Sequence, residues 1–76
     1  MNNLNTCKIG KLYTIDAIGE QLPLKIRRRM YDLGFINGQK IKVVRKSLLK
    51  KAILIEIRGY TLSLRSTIAE FIYLKS

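Results

Sequence analysis

The chain contains no histidine, a single cysteine, a single proline and only five carboxylates, and each shortage removes a class of chemistry. Without histidine the usual general base is missing. No Gly-rich phosphate loop, Ser-x-x-Lys pattern or carboxylate pair takes its place, so the chain is read as a non-enzyme. Cys7 alone can form neither an intramolecular disulfide nor a cysteine metal cluster, which fits a reducing compartment. The carboxylates are scattered and the net charge is +10, which raises the cost of approach for a dication. Neither a tight metal site nor a cofactor is expected, and Cys7 is read as a half-buried small apolar residue. No apolar run reaches the length of a membrane span, and "MNNLNTCKIGKLY" has no stretch of signal-peptide length. The expectation is a soluble, cytoplasmic protein.

What is present is a chain of 76 residues with 47% apolar content, enough for one domain over residues 1–76 with a thin core. Fifteen Lys and Arg face five Asp and Glu. Such a field attracts nucleic acid, acidic protein surfaces or an anionic membrane leaflet, and charge alone does not choose among them.

The hydropathy pattern alternates between two periods. "KLYTIDAI" places Tyr13, Ile15 and Ala17 on one side of a first strand, which Gly19 ends. From Leu24 to Leu33, Ile26, Met30 and Leu33 follow the i, i+4, i+7 spacing of a buried helix face, with Pro23 tolerated at the start and Gly34 as the C′ stop. "NG" at 37 and 38 then suits a tight joint. "QKIKVVRKS" turns Ile41 and Val43 inward and Lys40, Lys42, Val44 and Lys46 outward. Residues 52 to 65 form a hairpin through Gly59, with Ile53, Ile55, Ile57, Leu62 and Leu64 inward. Ser66 is expected to cap a one-turn helix over "STIAE", and "FIYL" makes a last strand. About five strands with one inserted α-helix point to a mainly β, small antiparallel barrel, SH3-like or OB-like; a two-layer α+β sheet is the rival.

The residues Asp32, Leu33, Gly34, Phe35, Gly38, Ile41, Gly59, Leu64, Arg65, Ala69 and Ile72 resemble the pattern of the FeoA family, small accessory proteins of bacterial ferrous-iron uptake. The resemblance spans nearly the whole chain. It departs at Asn37, where the family often has proline, at Ile68, where it often has glutamate, and in "SLLKK", where it is commonly richer in Pro and Gly. The resemblance implies an SH3-like barrel that partners the cytoplasmic part of a membrane-embedded, GTPase-linked ferrous-iron transporter, and so is recruited to the inner face of the membrane. A related domain forms the C-terminal module of some metal-dependent repressors, so the fold serves as an interaction module.

Helix phasing selects the candidate contact residues. With Ile26, Met30 and Leu33 inward, Arg27 and Arg29 flank the helix, while Leu24, Arg28 and Tyr31 share its outer side. Tyr60 follows Gly59 at the hairpin tip. Leu24, Arg28, Tyr31 and Tyr60 are the candidate partner-binding residues, a mixture suited to ring packing and guanidinium–carboxylate pairing. The competing reading tucks Leu24 under the first turn and lays Tyr31 along the barrel. A second basic group, Lys40, Lys42, Lys46, Lys50 and Lys51, would serve solubility or attraction to an acidic partner or anionic leaflet. The rival function is a basic nucleic-acid-binding barrel, for which Tyr13, Tyr31, Tyr60 and Tyr73 are too few and scattered to form a stacking platform.

Overall fold

The computed structural model describes residues 2–75. Its strands are β1 (Asn2–Asn3), β2 (Leu12–Ile18), β3 (Lys40–Lys46), β4 (Ala52–Ile57), β5 (Tyr60–Arg65) and β6 (Ile72–Lys75). Helix α1 (Leu24–Asp32) follows β2, a one-turn helix α2 (Ser66–Ala69) follows β5, and a 3₁₀ turn covers Leu4–Thr6. All pairings are antiparallel in one sheet of order β1-β6-β2-β3-β4-β5. The added strand is β1, whose two residues pair with Leu74 and Tyr73 and escape any periodicity argument.

The sheet curls around Ile15, Phe35, Ile41, Val43, Ile55, Ile57 and Ile72, with Leu4 closing one end. Two bulges make the curl, because an extra residue on one strand bends it and reverses the in-out order beyond. In β2, Ile15 faces Leu74 and Ala17 faces Tyr73, so Asp16 is the extra residue. Ala17 is therefore exposed and Ile18 buried, against the strict alternation expected of this strand. In β3, Val43 faces Ile55 and Arg45 faces Leu54, which makes Val44 the extra residue. Lys46 consequently sits across from buried Ile53 and points inward, whereas alternation placed it outside.

The inward lysine is used. Its Nζ donates to the carbonyls of Cys7 at 2.8 Å and Asn5 at 3.0 Å, which ties the N-terminal segment to the end of β3. Cys7 beneath it is buried outright, not half-buried as expected, and its thiol donates to the Asn3 carbonyl at 3.2 Å. Burial pushes the thiol from the usual 9.0 to about 11, against the opposing pull of Lys46 and Lys11.

Helix α1 rests on the core through Met30, with Ile26 and Leu33 only partly covered. Its end is a Schellman motif: Phe35 N–H donates to Met30 O and Gly34 N–H to Tyr31 O, with Gly34 at φ +103. Phe35 and Met30 are both buried and supply the apolar contact that accompanies this motif. The following joint docks on β2, since Gly38 N–H and Ile15 O, and Ile15 N–H and Gln39 O, are each 2.8 Å apart. Asn37 adds a side-chain bond to the Asp16 carbonyl at 2.7 Å. At α2 the N-cap is Arg65, with no side-chain cap; Ser66 is the first helical residue instead of the expected cap, and its carbonyl accepts from Asn5 Nδ2.

Candidate functional site

The hairpin between β4 and β5 closes through two residues, Arg58 and Gly59, at φ +51 and +83. Positive φ at both central positions is the requirement of a type I′ turn, which matches the twist of the strands. Arginine is an uncommon occupant of such a position. The compensation is contact: the Arg58 side chain lies across Gly34, so close that a Cβ added to that glycine would stand 2.5 Å from Arg58 Cδ.

One residue further, the Tyr60 hydroxyl donates to the Leu33 carbonyl at 2.6 Å. That carbonyl belongs to the last turn of α1, where no intrahelical donor is left for it. The hairpin tip and the helix end therefore form one continuous surface. Leu24, Arg28 and Tyr31 run along the outer side of α1, about 10 Å from first to last by helical rise. Leu24 is 50% exposed, Tyr31 46% and Tyr60 38%, and Arg28 is exposed beside them. Tyr60 reaches the Tyr31 end of this row through its bond to Leu33.

Residues that pattern reasoning passed over lie on the opposite flank of α1. A groove of about 410 Å³ runs between the helix and β5, lined by Ile26, Leu33, Leu62, Leu64 and Ile68 with Arg29 and Arg65 at its rim. Among the described residues β5 pairs with β4 alone, and its other edge faces this groove. Leu64 is buried in the core as its spacing predicts and Leu62 packs against it, and both also wall this groove. No sequence signal marks the groove, because helical spacing places Ile26, Met30 and Leu33 all inward, whereas Met30 alone of the three is fully buried.

The second basic group is broken up. Lys42 pairs with Glu56 at 3.5 Å, Lys40 donates to Thr14 Oγ1, and Lys46 points inward. Lys50 and Lys51 are exposed in the β3–β4 turn. The tyrosines are similarly divided: Tyr13 is buried, Tyr73 half-buried, and Tyr31 and Tyr60 exposed. Among the described residues no group of His, Cys, Asp or Glu is placed to hold a metal, and no helix is long and apolar enough to cross a membrane.

Comparison with known proteins places this geometry. The family model for the FeoA domain matches residues 2–76. The solution structure of the FeoA protein from Chlorobium tepidum superposes with a TM-score of 0.86 at 30% identity, over 96% of this chain and 68% of that one. The FeoA-like protein from Clostridium acetobutylicum gives 0.81 at 30% identity, over 96% and 83%. FeoA of Stenotrophomonas maltophilia, crystallised with zinc and described as an SH3 domain protein and candidate ferrous iron transport activating factor, gives 0.86 at 18% identity over 99% and 91%. The fold is thus the SH3-like one. A search of curated proteins returns no match.

Proposed function

The chain belongs to the FeoA family, and from that premise we propose that it is a non-enzymatic accessory protein of ferrous-iron uptake that binds the cytoplasmic part of a GTPase-linked membrane transporter. The contact surface is Leu24, Arg28 and Tyr31 on α1 with Tyr60 at its end. The observation that carries this reading is the exposed row itself. Leu24 and Tyr31 are about half exposed beside exposed Arg28, so burial in the fold does not account for them, and the two tyrosines with the arginine match the composition of interface anchors. The Tyr60 ring is held by its bond to Leu33, so less ordering entropy is lost when a partner packs on it. A net charge of +10 favours an acidic complement and speeds encounter with it.

The test is binding to the isolated GTPase domain of the ferrous-iron transporter from the same organism, followed by calorimetry. Arg28→Glu combined with Tyr31→Ala is expected to weaken binding by about a hundredfold, in line with the loss of two interface anchors. Unchanged affinity in that variant, with an unchanged melting temperature, overturns the assignment of the surface. The rival nucleic-acid reading predicts affinity for a single-stranded oligonucleotide that falls steeply with salt over many phosphate contacts. Oligonucleotide binding of that kind, without GTPase-domain binding, would transfer the function to it.

A further inference from the structure

The turn between β3 and β4 carries the two most exposed large apolar side chains among the described residues. Leu48 is 100% exposed and Leu49 76%. They stand at the tip of a turn closed by its own hydrogen bonds. Lys50 N–H donates to the Ser47 carbonyl at 2.9 Å, and Ser47 Oγ accepts from Lys51 N–H at 3.0 Å and from Ala52 N–H at 3.2 Å. Lys50 adopts φ +57 to complete it. The turn is therefore ordered by its backbone while the leucines project from it.

The charge in the segment that carries this tip is of one sign. No Asp or Glu occurs between Asp32 and Glu56, and Arg45, Lys50 and Lys51 are exposed at its base. Beside the tip lies a hollow of about 540 Å³ whose lining mixes Asn5, Lys46, Ser47, Lys50 and Ser66 with apolar Leu48, Ala52 and Ile53.

We propose that the 47–51 turn is a membrane-docking tip, which inserts Leu48 and Leu49 into an anionic bilayer while Arg45, Lys50 and Lys51 engage the headgroup phosphates. Two features favour lipid over a protein partner. The leucines are almost wholly exposed at a turn, so they suit a deformable apolar phase better than a matched pocket, and leucine is under-represented among protein hot spots. Stable attachment to a membrane generally takes two signals, apolar insertion and a basic patch, and the turn combines both within five residues. The inference is independent of the transporter reading, since it invokes lipid alone. Together the two would give one protein two separate faces, α1 for the transporter and the turn for the leaflet around it.

The experiment is co-sedimentation with vesicles of neutral phosphatidylcholine and with vesicles containing about a quarter phosphatidylglycerol. The wild type is compared with Leu48→Ser/Leu49→Ser and with Lys50→Gln/Lys51→Gln, all at matched melting temperature. The wild type is expected to bind the anionic vesicles, with affinity about tenfold or more weaker in the leucine variant. A Leu48→Trp variant is expected to shift its emission to the blue on adding those vesicles. Equal vesicle binding by wild type and leucine variant overturns the proposal, because attraction by net charge alone predicts that result. An unshifted tryptophan overturns it as well. Binding of polyglutamate that the leucine variant loses, without vesicle binding, assigns the tip to an acidic protein instead. Affinity for the soluble GTPase domain is read in parallel, so a failure here is distinguishable from a failure of the α1 surface.

Discussion

The Tyr60 hydroxyl and the Leu33 carbonyl, 2.6 Å apart, join residues 27 positions distant and fasten the β4–β5 turn to the last turn of α1. The bond is exposed, so its net contribution is small even though its geometry is good. Tyr60→Phe should lower stability by about 0.5–1 kcal/mol. Hydrogen exchange should quicken at the end of α1 while the sheet amides are unaffected. Equal protection in wild type and variant would show that the bond does not hold the helix end.

Gly34 has a stricter requirement. It combines φ +103 with the Arg58 side chain lying where a Cβ would go. Gly34→Ala should cost about 2 kcal/mol, the sum of backbone strain and displacement of Arg58. Adding Arg58→Gly should recover part of that loss. The second substitution removes the clash and also relaxes a non-glycine residue at positive φ. Denaturant unfolding of the two variants and their combination measures the coupling.

The joint around Gly34 was legible in the sequence because Leu-Gly after a helical pattern has one economical local solution. The inserted helix, the β4–β5 hairpin and most of the inward aliphatics follow from periodicity for the same reason. Lys46 and Ala17 were not legible. Each lies beyond a bulge, and a bulge is fixed by how a strand fits its neighbour, which no single strand records. The outer row of α1 could be phased from spacing, whereas its union with Tyr60 depends on where a distant hairpin lands. The groove along β5 was invisible because it is made by what the helix fails to cover.

Lys46 supplies a third prediction. Its two bonds hold the backbone of residues 5 and 7 against β3. Lys46→Met keeps most of the apolar stem and removes both bonds, and should cost about 1–3 kcal/mol. Amide exchange should rise at Leu4–Cys7 more than in β4 or β5. A uniform rise across the sheet would instead mean that the lysine supports the fold as a whole.

Cys7 supplies a fourth, read against pH. The folded thiol releases its proton near 11, above its unfolded value, so the unfolded chain binds fewer protons between those limits. The stabilising contribution is therefore complete below about pH 9 and is lost as pH rises towards 11, by about 2–3 kcal/mol in all. Cys7→Ala should flatten this part of the alkaline stability curve relative to wild type. In the native protein at neutral pH the same thiol should resist alkylation until denaturant is added.

The position of β6 bears on how the chain is made. It is the final strand in sequence, yet it lies between β1 and β2 in the sheet and brings Leu74 against Asn2. Until residues 72–75 have left the ribosome, β2 lacks one of its two neighbours and Ile15 lacks a wall. The nascent chain must therefore wait, with Ile15, Ile41 and Val43 incompletely covered, until residues 72–75 emerge. The barrel therefore closes only once β6 is available, and a chain cut short before residue 72 should be a substrate for chaperones and proteases rather than a smaller version of the fold.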